Sequence, residues 1–475
     1  MAIVCLCVLA DVRMDNEGTG RWFSLWRERF SGKVHDIAVF DRERKNSMNR
    51  KMKLSLLSAA ISSALLSPCF AGVVEYISTQ SGWDNVNKDG ALPDINFHIK
   101  YTPNDDQGNS KAPNAVRDDI RISDIAGKNL ILSGVVQGKD LGSAAAYLKD
   151  STVTIGETDE RLNEVAIKNA GSRYLLYLDN AKMSVSANRI VLDVGEVVAK
   201  TTASSTQFLN QSTLNLSAKT IEGTYRKSNS GNIQDAVIYS TTGSVVNFGK
   251  DDELDSDHSY YLDALRIEAE DNAINTLLSA RTGGKINVYA DAVFLKNDTG
   301  RVLRVQNPGG EDQGVITILS SSVTLEGKTP VDITNPGNIY LGTEAKPLEN
   351  LTITSTVDGG NAIQVHKENA SKDHAVSGID IHTTGKVQIT GNIDVTAKTK
   401  TDENGLVTYF DNNDIAVNIN NSSGDTGSVV IIGDILTGSK ENQSNVSDNN
   451  SVNISFKGPE SSLTGAVVDF DEREN

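Results

Sequence analysis

From residue 129 onward the chain is written in short runs of alternating apolar and polar residues. Residues 129–133 (NLILS), 151–155 (STVTI), 212–216 (STLNL), 314–319 (GVITIL), 322–325 (SVTL), 351–354 (LTIT) and 452–456 (VNISF) are built from Val, Ile, Leu and Thr, types that suit a pleated, half-buried surface. Gly, Asn, Asp and Ser fill the gaps, which is turn chemistry. The pattern predicts many short strands. Helical periodicity is scarce: residues 260–278 can be read as a helix, but their Leu265-Arg-Ile-Glu-Ala-Glu core alternates as well as it repeats at helical spacing. No proline lies between Pro113 and Pro308, which suits uninterrupted hydrogen-bonded ladders.

A quasi-repeat runs through these strands. TGSVVNFG from Thr242, TGGKINVYAD from Thr282, TGKVQITGNI from Thr384, TGSVVIIGDI from Thr426 and TGAVVDF from Thr464 each set a glycine turn ahead of a strand. The separations of 40, 102, 42 and 38 residues lie near multiples of about 20, within the range of stacked repeat architectures. A turn of that size cannot bury its own apolar face, but stacking it on a neighbour buries that face and pairs each strand above and below. The expectation is an all-β chain, a right-handed parallel β-helix (solenoid) of about 20 turns and, at about 4.8 Å per turn, roughly 90 Å long. The L-x-x-L-x-L-x-x-N pattern of leucine-rich repeats is missing, and a sandwich or propeller would carry more hairpin turns and aromatics. Residues 72–128, with Trp83, Pro93, Pro103 and Pro113, read as the N-terminal cap that a stack of rungs requires, and 129–475 as the β-helix. Residues 438–450 (GSKENQSNVSDNN) read as an extruded loop.

Upstream lies a secretory signal. Arg50, Lys51 and Lys53 form a basic head, residues 54–66 (LSLLSAAISSALL) an apolar stretch, and Ser67-Pro-Cys-Phe-Ala71 a cleavage region ending on a small residue. The stretch is short for a membrane anchor. Residues 48–71 are therefore expected to be a signal peptide cut between Ala71 and Gly72. Residues 1–47 hold Trp22, Trp26, Cys5 and Cys7 and differ in composition from all that follows; the expectation is a start placed too early, with Met48 or Met52 as the true one, and the alternative a genuine extension. Cys69 raises the option of a lipoprotein, but Pro68 directly before it does not suit lipidation. Residues 72–475 contain no cysteine, so core packing and backbone hydrogen bonds alone must hold an exported chain. They carry 34 basic and 55 acidic side chains, a net charge of −21, which repels nucleic acid and anionic lipid.

The signal, the thiol-free mature chain and the Thr-Gly-x-Val-x-Ile turns, with the closing NSVNISFKGPESSLTGAVVD from Asn450, resemble the passenger region of Gram-negative autotransporters. The resemblance covers residues 72–475. It implies a right-handed β-helix carried to the cell surface, often for adhesion, with host or neighbouring-cell molecules, glycan or protein, as partners. Members of that family end in a membrane β-barrel. This chain stops at Asp471-Glu-Arg-Glu-Asn475 in mid-pattern, so the expectation is a truncated passenger that reaches the cell surface where a barrel translocator is supplied and the periplasm otherwise. The related two-partner secretion proteins carry an Asn-Pro-Asn-rich N-terminal signature; here Asn307-Pro-Gly-Gly and Asn335-Pro-Gly-Asn are late and read as turns.

Candidate chemistry is thin. Asp298-Thr-Gly300 and Asp425-Thr-Gly427 share the triplet of aspartic proteases, but Lys296-Asn297 and Ser423-Gly424 precede them where burying apolar residues belong, so turns are the expectation. Gly424-Asp-Thr-Gly-Ser428 places Thr426 where secreted serine proteases have their nucleophile, with no His and Asp partners in view. His366, His374 and His382 are evenly spaced but read as scattered surface residues. The acidic run 251–257 (DDELDSD) lacks the glycine of an EF-hand loop and reads as solvated. The enzymatic rival, a β-helical polysaccharide lyase or hydrolase, needs carboxylates facing basic residues beside aromatic platforms, and the sequence offers no visible cluster of Asp, Arg and aromatic residues at rung spacing. No catalytic, cofactor or metal site is expected, no small-molecule cofactor and no nucleic-acid partner. The reading is a surface-presenting protein, with a carbohydrate-active enzyme and a non-functional passenger remnant as alternatives.

Overall fold

The computed structural model describes residues 75–469 apart from 77–78, 87–93, 99–114, 134–143, 158–160, 169–173, 194–195, 201–210, 226–235, 251–261, 270–274, 307–312, 335–336, 367–376, 397–398, 402–406, 410–414, 423–426, 439–449, 457 and 459. All of them belong to Gly72–Asn475, the second of the chain's two compact units. Residues 1–47, the segment 48–71, the pair Ala71 and Gly72, the acidic run 251–257, His374, Asp425 and Thr426 lie outside the described residues.

The described chain is nearly all strand, and its pairings are parallel except for one hairpin, Thr399–Thr401 with Val407–Tyr409. Strands fall into three parallel ladders, which the chain visits in turn before returning to the first one rung further on. The long strand Lys285–Gln306 contributes to all three ladders, and Gly314–Thr334 lies along it almost residue for residue. Residues 262–269 and 276–281 are strands, so alternation wins over helical spacing there.

Register explains the core. In the first ladder Ile120, Val153, Met183, Leu214, Val246, Ile286, Ile316, Ile339, Ile379, Val417 and Val452 are consecutive partners. Two residues on, Ile122, Ile155, Val185, Leu216, Phe248, Val288, Ile318, Leu341, Ile381, Ile419 and Ile454 form a second column. The second ladder repeats the scheme with Leu130, Val165, Ile190, Ile221 and Leu265, and the third with Ala146, Leu176, Val197, Ile238 and Leu278. These side chains are buried in one continuous cluster, with Val452 and Ile454 partly buried against it, because alternate strand residues share a face and equal parity stacks like upon like.

The rungs are longer than the sequence spacing suggests. Ile316 to Ile339 is 23 residues and Val246 to Ile286 is 40, so separations near 40 are one rung, not two. Ten steps from Ile120 to Val452 raise the first ladder by roughly 48 Å at about 4.8 Å each, about half the expected length. The Thr-Gly motif misleads because it is corner chemistry and each rung has several corners. Thr242 and Thr282, with φ of 55° and 46°, turn the chain from the third ladder into the first. The copies at Thr384 and Thr426 precede the partners Val387 and Val429 of the second ladder. Thr464-Gly465 enters the third ladder, where Gly391, Gly433 and Gly465 stack; a Cβ on Gly433 would lie 2.4 Å from the Gly391 carbonyl oxygen, and one on Gly465 2.1 Å from that of Gly433.

The two ends of the first ladder differ. Its first strand, Ile120–Ile122, has no strand beneath it among the described residues. There the short helix Gln80–Val86 supplies a substitute: Arg121 N–H donates to Gln80 Oε1 (2.6 Å), and Gln80 Nε2 donates to the Arg121 carbonyl (3.1 Å). The amide side chain thus does what a neighbouring backbone would. Thr79 caps this helix by accepting from Gly82 N–H (3.1 Å), and Trp83 is buried. The second ladder begins earlier, with Glu75–Tyr76 on Asp94–His98.

One rung is notched. The column Ile167, Leu192, Ile267, Leu295 passes through Gly223, and a small apolar cavity opens there between Leu175, Leu192, Val197, Val237 and Ile267. A Cβ on Gly223 would sit 3.4 Å from Ile267 and 3.7 Å from Leu192. Gly223→Ala is therefore expected to raise stability by about 1 kcal/mol, through added contact and a less flexible unfolded chain, read as a higher denaturant midpoint.

Candidate functional site

The outer face of the third ladder carries the densest polar chemistry. Asp332 lies between the inward-facing Val331 and Ile333 in the strand Gly314–Thr334, so alternation turns its side chain outward. It is nevertheless 0% exposed. Arg304 is its direct partner on the preceding rung and Gln364 on the following one. Arg301 Nε contacts Asp332 Oδ2, Arg304 Nε lies 3.4 Å from the same oxygen, and His366 Nδ1 lies 3.8 Å from Oδ1. The buried Thr334 hydroxyl is 3.4 Å from His366 Nε2. Two guanidiniums and an imidazole thus surround one carboxylate across three rungs. A carboxylate removed from water needs such counter-charge. The carboxylate thereby links the rungs of Arg301 and Arg304, of Asp332 itself and of His366.

This cluster departs from the sequence reading in two ways. His366 is 3% exposed and belongs to a buried charge group, not to the surface; His382 stands in the first ladder opposite Asn420, so the even spacing has no common face. Asp and Arg do meet at rung spacing, and the same outer face bears Tyr147, Tyr177 and Tyr239. Tyr177 meets Tyr147 and Tyr174 edge to face at centroid distances of 5.6 and 5.3 Å, and Arg281 lies 5.9 Å over Tyr239. The signal was present as a lone acid in the apolar run Val331-Asp-Ile333, but its three partners stand 28, 31 and 34 residues away and only the register unites them. Asp298, by contrast, is an exposed residue 3.4 Å from Lys296; it lies not in a turn but within the strand Lys285–Gln306, where the register shifts between Asn297 and Arg301. Among the described residues no group of three or more His, Cys, Asp or Glu is placed to hold a metal ion.

The outer row of the first ladder is polar along nearly its whole length: Ser184, Asn215, Asn247, Asn287, Thr317, Tyr340, Asp380, Asn418 and Asn453 follow one another rung by rung. Side-chain amides link along it. Asn215 donates to Ser184 (3.2 Å), Asn247 to Asn215 (2.8 Å), Asn287 to Asn247 (2.9 Å), Asn418 to Asp380 (2.6 Å) and Asn453 to Asn418 (2.9 Å). Such asparagine ladders arise when like residues stack in parallel register. Burial, and then the Asp380 charge one rung on, push the Tyr340 phenol above its ordinary value. The second ladder's outer face answers with charge: Arg189 bonds Glu222 (2.7 Å) and Glu164 (2.6 Å) on the rungs either side. The Glu222 bond leads in raising its pKa, burial opposing. Exposed pairs of this kind contribute about 0–1 kcal/mol each.

Two outcomes follow from this geometry. Asp332→Ala is expected to destabilise the fold by up to about 3 kcal/mol, because it leaves two half-buried guanidiniums without their counter-charge, and by far less when Arg301 and Arg304 are also methionine; denaturation of the four variants of that cycle checks this. The phenolate absorbance difference between the parent chain and Tyr340→Phe is expected to titrate above the ordinary tyrosine value of 10.0, and Asp380→Asn to move it part of the way back. In sign, the stability this residue contributes is whole below the unfolded value and is lost as pH rises through the raised folded one. Comparison of the chain with protein-family models, with curated proteins and with solved structures finds no match.

Proposed function

We propose that the chain is an exported surface protein of the autotransporter-passenger kind, a right-handed parallel β-helix capped by residues 72–128, which presents its outer rows to a host or neighbouring-cell glycan or protein. The observation that carries this reading is the polar row from Ser184 to Asn453, which repeats one hydrogen-bonding group per rung on the outside of a rigid ladder. Repetition at fixed spacing lets many weak contacts act together. Right-handedness is supported by the preferred hand of connections between parallel strands. The Gln80 amide on the first strand edge and the buried Trp83 support the cap. Export is supported by the signal-like segment 48–71 and by a mature chain free of cysteine, which oxidation cannot trap on its way out. On the tyrosine-bearing outer face of the third ladder, Asp332 is enclosed by Arg301, Arg304 and His366 and does not present its carboxylate to a glycan.

Expression of the full chain in a Gram-negative host, followed by fractionation and N-terminal sequencing, is expected to yield an exported product that begins at Gly72. A product retained in the cytoplasm with residues 48–71 uncut would end the export reading. Where a barrel translocator is supplied the product is expected at the cell surface, and otherwise in the periplasm. Adsorption of that product to cells or immobilised glycans is expected to fall several-fold when Asn215, Asn247 and Asn287 are changed together to glutamate. Unchanged adsorption would take the contact off this face, and no adsorption by the parent chain would favour a passenger remnant.

A further inference from the structure

Part of the first ladder's outer face differs in charge from the rest of an acidic chain. Six successive strands, from Thr152–Ile155 to Gly314–Thr334, set two outward columns side by side. One runs Thr154, Ser184, Asn215, Asn247, Asn287, Thr317, and the other Thr152, Lys182, Thr213, Val245, Lys285, Val315. Neither contains an acid, although the chain's net charge is −17. Lys182 and Lys285 are exposed and stand three rungs apart, roughly 14 Å at about 4.8 Å per rung. On the other ladders Lys149 pairs with Asp179, and Arg189 with Glu164 and Glu222; Lys182 and Lys285 have no carboxylate partner among the described residues. At the head of the strip a polar recess of about 350 Å³ opens between Arg121, Thr154, Glu157, Ser184 and Ser186.

We propose that this strip binds an extended acidic polysaccharide, a uronate-bearing glycan laid lengthwise along the stack. The inference rests on the reading of the outer row as the contact face, and names the ligand's chemistry. Three observations converge on it. An amide has two N–H donors; Asn215, Asn247 and Asn287 each give one to the preceding rung, so each keeps a second for a ligand hydroxyl or carboxylate. The rung step is close to the advance of one sugar ring in an extended pyranose chain, so successive amides meet successive rings. The lysines supply charge sparsely, once in three rungs, which suits a polymer with a carboxylate only every few rings. A nucleic-acid strand carries a phosphate about every 3.4 Å, and two lysines roughly 14 Å apart would leave most of those charges facing an acidic protein. The recess, walled by hydroxyls and by the Arg121–Glu157 ion pair, offers donors and acceptors together, as a sugar ring requires.

Titration of the protein, purified after expression of the full chain, against polygalacturonate, alginate, their methyl esters and single-stranded DNA tests this. The expected result is binding of the two uronate polymers that weakens with salt, with the esters and the DNA bound several-fold less tightly. Lys182→Gln combined with Lys285→Gln is expected to weaken uronate binding on the order of fivefold, as two exposed charge contacts would. Both lysines are exposed, so this variant keeps its fold, which unchanged circular dichroism verifies. The matched control, Lys168→Gln with Lys386→Gln, removes two exposed lysines of the second ladder and is expected to change nothing. Failure to bind either uronate polymer overturns the proposal. So does equal binding of the esters, DNA bound as tightly as uronate, or a Lys182/Lys285 variant that binds like the parent. If cell adsorption still falls when Asn215, Asn247 and Asn287 become glutamate while the uronates do not bind, the outer row stands as the contact face and only the acidic ligand is lost.

Discussion

Parallel register is the constraint on which everything else in this protein rests. A strand that slipped by one residue would turn its apolar positions outward and its asparagines inward on every contact it makes. Because Ile286 must face both Val246 and Ile316, and Asn287 both Asn247 and Thr317, each rung is held in place by two neighbours. The same parity that buries aliphatic columns lines up the amides outside. Core and surface order are two results of one pairing rule.

Within that rule the protein spends its polar groups differently on its three outer faces. The first uses neutral amides that bond along the stack. The second uses exposed ion pairs such as Glu164, Arg189 and Glu222. The third buries a charge, Asp332, and must surround it. Only the last makes the fold depend on particular residues several rungs apart, since a buried carboxylate without its guanidiniums is strongly destabilising. The amide row and the surface pairs tolerate substitution far better.

How much could be read from the chain follows from what is local. The strands around residues 129–133, 314–319 and 351–354 announce themselves by alternation, and the Gly-led corners by turn chemistry, so the all-β class and the parallel stacking are legible. The rung length is not, because it includes corner segments whose size varies: 23 residues separate Ile316 from Ile339, and 40 separate Ile339 from Ile379. The helix Gln80–Val86 was hidden in residues read only as a cap, since seven residues show too little periodicity to register. The charge group around Asp332 was hidden for the opposite reason: Arg301, Arg304, Asp332 and His366 are each ordinary in their own strands and become a cluster only when three rungs are superposed.

The charge group has a mechanical consequence. A stack bound mainly by contacts between adjacent turns comes apart from an end, each turn peeling as its one remaining neighbour lets go. Opening that works inward past Ile435 and Ile393 meets aliphatic columns, backbone bonds and side-chain bonds such as Asn418 to Asp380 and Thr396 to Asp394 before it reaches the cation-bound Asp332 and His366. There the next turn cannot lift without leaving a carboxylate and two arginines uncompensated. The middle of the protein thereby acts as a ratchet tooth: tension or thermal fraying stops short of it, and a half-unravelled molecule keeps an intact base on which the outer turns can wind back.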